Sequence, residues 1–593
     1  MNVSDYLWER LHEWDVRRIY GYPGDGINGI LGALARSKRG IEFVQVRHEE
    51  MAAFMACAHA KFTGEVGVCL ATSGPGAIHL LNGLYDAKLD KTPVVAIVGQ
   101  AATTALGGSY QQEVDLQRLF ADVSEYAYTV CSPTAIRHVI DRAFRTAAAM
   151  RGVATVIVPK DIQEKQYAEP PRKHNTLHSS AGYSAPIVVP EDRDLRRAAD
   201  ALNAGERVAI LVGAGAIRAT EEVVAVAERL GAGVAKALLG KAAVPDDLPY
   251  VTGTLGLLGT RASSDMMNEC DTLLMIGTAY PYAEFLPKEG QARGIQIDID
   301  PRYIGLRYPT EVNLIGDAAT TLRALLPLLV QKADSSWRDK IEKNRHDFEE
   351  LERRRAHEGA QPLNPQLVFL ELNKHLPHNA IVTGDAGTAT NWSARNLHMR
   401  RGMKWSLSGG LATMGGAVPY AIAAKFAYPD RVSIACTGDG AMQMNGSAEL
   451  LTVMKYWKSW HDPRIIFLVL HNDDLNQVTW EMRVESGDPK YEASQNLPAF
   501  PYAAYAESIG MRGIRVDDPA ELGDAWRQAF TSARPVLVEA IVDSNVAQLP
   551  PHITLEEAHN LFSALSKGDP NEGGVIKESI KSILAGVIPR TSE

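Results

Sequence analysis

The sequence has few cysteines, no long apolar run and no excess of positive charge. Five cysteines among 593 residues stand far apart without a CxxC pair, so neither a disulfide framework nor a zinc site is expected. No apolar run approaches the roughly 18–20 residues of a membrane span. Lys and Arg number 61 against 71 Asp and Glu, and this net charge of −10 argues against nucleic-acid binding. The N-terminus is typical of an amphipathic helix and lacks signal-peptide features, so a reducing, cytoplasmic location is expected.

Apolar runs of strand length alternate with helical patterns along most of the chain. Continuous apolar runs such as residues 65–72 and 92–99 are typical of parallel strands covered on both faces. A Pro-rich stretch at 168–193 and a highly charged helix before residue 361 divide the pattern into blocks. We therefore predict an α/β protein with three doubly wound parallel-sheet domains, at 1–170, 190–335 and 360–548, and a C-terminal tail at 549–593.

A glycine-flanked carboxylate, Gly438-Asp439-Gly440, ends one apolar strand and begins an apolar helix. Asn472 follows the next strand, 33 positions after Asp439. Ligands bind at the carboxyl ends of strands in open α/β sheets. The Asp439 carboxylate, the Asn472 amide oxygen and a backbone carbonyl near Asp474 would supply half of an octahedral Mg²⁺ shell, which phosphate oxygens and water commonly complete. The alternative is a pair of ordinary turns, because Asp-Gly also suits a hairpin.

The same edge offers donors for a diphosphate. Gly438 and Gly440 let the backbone come close, and the helix beginning near Ala441 points free N–H groups toward an anion. The loop at 383–388, one strand earlier, offers further N–H and hydroxyl groups. Its candidate contacts are Gly384, Asp385, Gly387 and Thr388.

These motifs resemble those of the thiamine diphosphate (ThDP) enzymes. Residues 19–34, 44–64, 69–87 and 92–100 resemble the pyrimidine-binding domain of pyruvate oxidase and acetolactate synthase, and residues 406–431 resemble part of the diphosphate domain. The resemblance runs from residue 1 to about 550 and favours flavin-linked pyruvate oxidase and quinone-dependent pyruvate dehydrogenase. One departure is His471-Asn472, where the family usually has Asn-Asn after a slightly shorter gap.

The resemblance implies roles for single residues. Glu49 matches the glutamate that hydrogen-bonds the pyrimidine N1′ of ThDP, and Met414 matches the apolar residue that bends the cofactor into a V. Gln112 matches a pocket residue, and Glu481 a glutamate near the substrate carbonyl. Taken alone, these glutamates would be solvated helix residues and Met414 core filler. Further expected ThDP contacts are Gly24, Ser73, Pro75 and Asn82.

The middle block resembles the FAD domain of the oxidase branch, although its lone GxG is weak support for a dinucleotide site. Some relatives keep this domain without using flavin for redox chemistry. The expected FAD contacts are Gly213, Gly215, Tyr280, Pro281, Asp298 and Asp300.

Two departures make the expected substrate pocket more polar. The family's Phe-Gln-Glu is Gln111-Gln112-Glu113 here, and Gln477 stands where the oxidases have a second phenylalanine. We expect decarboxylation of pyruvate or a similar 2-oxo acid, with electrons passing to FAD and then to quinone or oxygen. The alternatives are a non-oxidative carboligase of the acetolactate synthase type and a protein that binds ThDP without turnover.

The resemblance also implies how the chain assembles. A homodimer is the expected minimum, because the family joins the pyrimidine and diphosphate domains across subunits, and a homotetramer is expected. The tail contains an amphipathic pattern at 573–588 and resembles that of the quinone-dependent dehydrogenase, where it meets the membrane. Packing on the protein itself is the favoured alternative, since the pattern is not notably basic.

Overall fold

The computed structural model describes residues 1–548 and 554–576. Their strands form three six-stranded sheets, and every strand pair within them is parallel. The predicted α/β class with three parallel-sheet domains is confirmed. None of the helices in these two ranges is long and apolar enough to cross a membrane. Most of the predicted tail helix lies outside the described residues.

The N-terminal sheet has the order β2-β1-β3-β4-β6-β5. Its central strands are buried on both faces, as their continuous apolar runs require. Its strands are β1 (Arg18–Gly21), β2 (Glu42–Gln45), β3 (Gly67–Ala71), β4 (Val94–Gln100), β5 (Tyr126–Thr129) and β6 (Val153–Pro159). Its helices are α1 (Val3–Glu13), α2 (Asn28–Arg36), α3 (Glu49–Thr63), α4 (Pro75–His79), α5 (Leu81–Leu89), α6 (Leu116–Leu119), α7 (Ala135–Met150) and α8 (Lys160–Glu164).

The middle sheet has the order β12-β11-β10-β7-β8-β9. Residues 165–191, which contain all but the last two residues of the Pro-rich stretch, form no helix or strand. They connect the N-terminal domain to the middle domain. Its strands are β7 (Val208–Val212), β8 (Gly233–Lys236), β9 (Val251–Thr254), β10 (Thr272–Ile276), β11 (Arg293–Asp298) and β12 (Val312–Ile315). Its helices are α9 (Asp192–Ala204), α10 (Thr220–Leu230), α11 (Arg261–Glu269) and α12 (Ala318–Leu325), and the charged helix α13 (Ser336–Ala356) follows.

The C-terminal sheet has the order β14-β13-β15-β16-β18-β17, so β13 and β16 flank β15. Its strands are β13 (Ile381–Gly384), β14 (Lys404–Ser406), β15 (Ser433–Gly438), β16 (Ile465–His471), β17 (Arg512–Val516) and β18 (Val536–Ile541). The helices are α14 (Pro365–His375), α15 (Thr388–Asn396), α16 (Ala417–Ala427), α17 (Asp439–Ala441), α18 (Ser447–Tyr456), α19 (Asn476–Glu481), α20 (Glu492–Gln495), α21 (Tyr502–Ser508), α22 (Leu522–Thr531) and α23 (Leu555–Ser566).

The first and third sheets share a hydrophobic core. Helix α3 packs along α16, and alanines on both helices belong to one buried cluster that includes residues of β3, β4, β15 and β16. Small side chains let the two helices approach closely while filling the space between them. The N-terminus of α3, which begins with Glu49, is therefore held against the C-terminal domain.

Candidate active site

The carboxylate of Asp439 joins the tips of two neighbouring strands. β15 ends at Gly438 and α17 begins at Asp439, whose Oδ2 accepts the backbone N–H groups of Asn472 at 2.8 Å and Asp473 at 2.7 Å. The side chain is buried, and burial raises the pKa of Asp439 to about 6. Sequence reasoning predicted that Asp439 and Asn472 share one edge of the sheet, and the structure brings them together there.

The donor set at this edge fits Mg²⁺. Asp439 offers carboxylate oxygens and Asn472 an amide oxygen, which are hard ligands of the kind Mg²⁺ prefers. The Asp474 carboxylate is used elsewhere, because it accepts from Thr479 Oγ1 at 2.9 Å and lies 3.0 Å from Lys490 Nζ. Asp474 therefore retains its backbone carbonyl for a metal, which is the atom the sequence reasoning assigned.

His471 lies between two carboxylates. Its Nδ1 is 2.7 Å from Glu539 Oε1, and its Nε2 is 2.8 Å from Asp473 Oδ1. Both ring nitrogens are thus occupied, which fixes the ring at the end of β16. The imidazole therefore connects the end of β16 to Glu539 on β18 and to the residue that follows Asn472.

Met414 lies against the glycine turn. A Cβ on Gly440 would lie 3.2 Å from Met414 Cε and 2.6 Å from Leu475 Cδ2, so only glycine fits there without displacing a neighbour. A Cβ on Gly438 would meet no atom within 4 Å. The turn is therefore packed on the Met414 side and open beside Gly438. Ala441, the last residue of α17, is buried.

Asp385 positions the segment that carries Met414. Its two carboxylate oxygens accept the N–H groups of Gly415 at 2.7 Å and Ala417 at 2.9 Å. The group is almost fully buried, and burial raises the pKa of Asp385 to about 7. The neighbouring Gly387 has φ +108°, which favours glycine, and it precedes Thr388 at the start of α15.

Glu49 is the first residue of α3 and is buried. Its Oε2 lies 2.9 Å from His79 Nδ1, and the rings of His79 and His48 lie 4.3 Å apart between centroids. The two histidines form one wall around the carboxyl group. Sequence reasoning did not assign His79 a role. His79 is the last residue of α4, three positions after Gly76, and the local sequence gave no signal of its contact with Glu49.

The other N-terminal candidates surround the turn between β3 and α4. Ser73 Oγ donates to Gln112 Oε1 at 3.0 Å, and Pro75 begins α4. A Cβ on Gly24 would lie 2.5 Å from Thr72 Cβ, so Gly24 allows two loops to pack closely.

Asn82 links this region to the C-terminal domain. Its Nδ2 donates to Glu50 Oε1 at 2.5 Å and to Thr413 Oγ1 at 3.2 Å. Thr413 immediately precedes Met414, so the N-terminal domain contacts the Met414 segment directly.

Glu481 lies on α19 and accepts a hydrogen bond from Gln477 Nε2 at 2.8 Å. Gln477 Oε1 in turn accepts from Asn391 Nδ2 at 2.5 Å, which connects α19 to α15. The sequence placed Glu481 and Gln477 in one pocket but did not identify Asn391 as a neighbour.

The residues expected to contact FAD in the middle domain differ in how well the structure supports that role. A Cβ on Gly213 would lie 2.4 Å from the Gly277 carbonyl, and one on Gly215 2.7 Å from Gly277 Cα, so chain packing alone requires both glycines. Tyr280 has a buried hydroxyl that lacks a partner in the described part of the chain, which is compatible with a ligand contact. Pro281 is exposed.

The two middle-domain aspartates differ in their surroundings. Burial raises the pKa of Asp298, whereas the hydrogen bond from the Arg302 side chain lowers the pKa of Asp300. Asp300 also accepts the Arg302 backbone N–H at 3.1 Å. Asp300 is therefore occupied within its own turn.

Comparison with known protein families agrees with the three-domain fold. Residues 1–119 match the N-terminal TPP-binding domain of thiamine pyrophosphate enzymes, residues 195–325 their central domain and residues 385–540 their C-terminal TPP-binding domain. The chain belongs to the thiamine pyrophosphate enzyme family. It is an enzyme of the class that acts on 2-oxo acids.

Individual relatives span nearly the whole chain. YdaP of Bacillus subtilis (strain 168), whose name refers to thiamine pyrophosphate, is 37% identical over 95% of each chain. Pyruvate oxidase of Lactiplantibacillus plantarum is 31% identical over 90% of this chain and 87% of its own. Acetolactate synthase isozyme 3 large subunit of Escherichia coli is 31% identical over 93% and 97%.

Proposed function

We propose that this enzyme decarboxylates pyruvate or a similar 2-oxo acid with ThDP and Mg²⁺, and passes electrons to FAD and then to quinone or oxygen. The observation that carries the proposal is the buried Asp439 carboxylate that joins the tips of β15 and β16, and the buried Glu49 at the start of α3 adds a second candidate group. The relative named pyruvate oxidase supports the oxidative branch.

The diphosphate end would be held by the C-terminal domain. Asp439, the Asn472 side chain and the Asp474 carbonyl would bind Mg²⁺, and N–H groups at Gly440 and Ala441 would donate to phosphate oxygens. ThDP supplies the nucleophilic carbon and stores the electron pair when CO₂ leaves. Met414 would set the shape of the bound cofactor from its place against Gly440.

Glu49 would carry out the proton transfer. Its carboxyl group lies at the buried N-terminus of α3, where it would exchange a proton with the pyrimidine N1′. His79 contacts Glu49 Oε2, and Oε1 would be the oxygen that faces the cofactor. Ser73, Gln112 and Glu481 would contact the substrate side.

The assembly we propose is a homodimer at minimum, with a homotetramer as the working form. The pyrimidine-binding and diphosphate-binding residues would then come from different protomers. FAD would bind the middle domain, with the partnerless Tyr280 hydroxyl as one contact.

A second candidate is a non-oxidative carboligase. Its support is the acetolactate synthase relative at 31% identity and the replacement of apolar pocket positions by Gln111 and Gln477. In this reaction the activated substrate attacks a second carbonyl and flavin stays oxidised.

Anaerobic mixing of the protein, Mg²⁺, ThDP and FAD with pyruvate separates the two candidates. Loss of the oxidised-flavin absorbance together with CO₂ release is the result we expect. Acetolactate with the flavin still oxidised would identify the carboligase instead. A panel of 2-oxo acids that yields neither CO₂ nor acetolactate would overturn both.

A further inference from the structure

Four amide side chains from three parts of the C-terminal domain form one hydrogen-bonded cluster. Asn391 Nδ2 donates to Gln477 Oε1 at 2.5 Å and to Gln548 Oε1 at 2.6 Å. Gln548 Nε2 donates to Asn476 Oδ1 at 2.9 Å. Gln477 Nε2 extends the cluster to Glu481 Oε1 at 2.8 Å. The cluster therefore ends at the glutamate proposed to face the substrate.

The cluster lies at the carboxyl edge of the third sheet. Asn391 is on α15, which follows β13, and Gln477 is on α19, which follows β16. These two strands flank β15, whose tip carries Asp439. Asn391 and Gln477 are thus on helices that start at the same edge of the sheet as the proposed cofactor site.

Two carboxylates border the cluster: Glu481, and Asp474, whose Oδ2 accepts a hydrogen bond from Asn476 Nδ2 at 2.9 Å. The hydrogen bonds of Asn391, Gln477 and Gln548 within the described chain run to other amides and to Glu481. The nearby cations have their own partners. Lys490 pairs with Asp474, and the buried Arg483 pairs with Asp569.

A cluster of amides beside a substrate would select among substrates by hydrogen bonding. An amide offers both a donor and an acceptor, and a hydroxyl group can engage both. An alkyl group in the same place would shield the amides from water without offering them a hydrogen bond. Burying polar groups in this way costs free energy. A second carboxylate on the substrate would lie near Glu481 and Asp474, and the neighbouring Lys490 is already paired with Asp474.

We propose that Asn391, Gln477 and Gln548 are specificity-determining residues that favour a short 2-oxo acid bearing a hydroxyl group at C3. The proposal rests on the proposed function, because it places Glu481 and its neighbours beside the reacting acid. It names the substrate class: neutral, hydroxylated 2-oxo acids in preference to alkyl or dicarboxylic ones.

The test compares hydroxypyruvate with 2-oxobutanoate, which differ by a hydroxyl in place of a methyl group. The wild-type holoenzyme should release CO₂ from hydroxypyruvate with kcat/KM roughly tenfold above that for 2-oxobutanoate. 2-Oxoglutarate should be a poorer substrate than either. Equal or higher kcat/KM for 2-oxobutanoate, or a clear preference for 2-oxoglutarate, would overturn the proposal.

Gln477→Leu tests whether the cluster causes the preference. The ratio of the two kcat/KM values should fall to about one, whereas the exposed Gln528→Leu on α22 should leave it unchanged. If Gln477→Leu lowers the melting temperature sharply, Gln548→Leu provides the same comparison from outside α19. A wild-type ratio retained in both cluster variants would contradict the assignment.

Different experimental results would contradict the specificity proposal and the proposed function. CO₂ released from several acids with no hydroxyl preference removes only the specificity proposal. No CO₂ from any acid, in protein that binds ThDP by titration of its tryptophan fluorescence, removes both.

Discussion

At the scale of single residues, two buried carboxyl groups, Asp385 and Glu49, differ in how many of their oxygens are hydrogen-bonded. Asp385 is enclosed and bonded to two backbone N–H groups, so it acts by positioning Met414. Glu49 is also buried, but a single side-chain contact, with His79, fixes only one of its oxygens. This difference in bonding suits Glu49 to the proton exchange proposed for it.

Glu49→Gln should lower kcat for CO₂ release by about 10²- to 10⁴-fold, the usual range for loss of a general acid–base. The amide keeps the size of the side chain but cannot take up a proton, so the melting temperature should change little. The exposed Glu164→Gln in the same domain serves as the control. Unchanged turnover in Glu49→Gln would rule out the proposed proton exchange.

Glu449 gives a pH-dependent prediction. Burial raises the pKa of Glu449 to about 7, and its Oε1 lacks a partner among the described residues. A raised carboxyl pKa in the folded state means that the unfolded state binds fewer protons, so this group destabilises the fold as pH rises from about 4.5 to above 7. The effect amounts to about 3 kcal/mol at high pH.

Glu449→Gln should therefore gain stability relative to the wild type as pH rises from 5 to 8. The difference in melting temperature between the two proteins at each pH is the quantity to measure. The exposed Glu521→Gln should show a difference that is nearly constant with pH. A Glu449→Gln difference that stays flat would show that the carboxyl group has an ordinary pKa.

The sequence predicted Asp439 and Asn472 from the glycine turn and strand ends beside them, whereas Glu49 was predicted from the resemblance of its segment to the ThDP enzymes. It could not identify their partners in the same way. His79 reaches Glu49, and Asn391 and Gln548 reach residues of α19, only through tertiary packing.

At the scale of elements, α18 occupies the free edge of β2. Tyr456 OH accepts the Gln45 N–H at 2.9 Å, and Glu449 Oε2 accepts the Arg47 N–H at 3.0 Å. The same Tyr456 hydroxyl lies 3.4 Å from the Phe43 carbonyl. Alternate residues of an edge strand expose backbone groups on one side, and a helix of the third domain satisfies them here. This contact fixes the chain just before Glu49.

A buried ion pair holds the segment that follows α23 against the turn that follows α19. Asp569 accepts two hydrogen bonds from Arg483, each at 2.8 Å, and both side chains are almost fully buried. Arg483 lies in the π-helical turn Met482–Ser486 that continues α19 beyond Glu481. The segment 554–576 therefore supports the element that carries Gln477 and Glu481.

Asp569→Asn should release this segment before the rest of the protein unfolds. Removing one partner of a buried ion pair costs about 3–5 kcal/mol, because the other charge is left without compensation. Limited proteolysis followed by mass spectrometry should show cleavage near residues 554–576 at much lower protease concentration than in the wild type.

The matched control is Asp488→Asn, which removes an exposed pair between Asp488 and Lys567 of the same segment. Exposed pairs contribute little, so its cleavage pattern should match the wild type. Equal protection in Asp569→Asn would mean that apolar contacts alone hold the segment.

Apolar runs predicted most inner strands of the three sheets, including β3, β4, β7, β10, β15 and β16, but not the inner strands β1 and β8. They did not predict β5 or β14, which lie at sheet edges and have short or mixed sequences. The π-helical turns after α17 and α19 have no local sequence signal, because tertiary contacts determine them.

At the scale of the whole molecule, the first and third domains form one structural body around α3 and α16. Lys61 of α3 donates to Tyr420 of α16 at 2.6 Å and to the Leu407 carbonyl at 2.8 Å. Sequence reasoning gave three α/β blocks but could not show that two of them share a core. That arrangement depends on contacts between residues more than 300 positions apart.

The central claim is that a 2-oxo acid loses CO₂ at a ThDP–Mg²⁺ site built from Glu49 and the tips of β15 and β16. The most direct measurement is the rate of CO₂ release from pyruvate and hydroxypyruvate, with ThDP and Mg²⁺ present together or omitted singly. We expect release to require both, and to be lost in Asp439→Ala at saturating cofactor. Release that persists without ThDP, or at the wild-type rate in Asp439→Ala, would contradict the account.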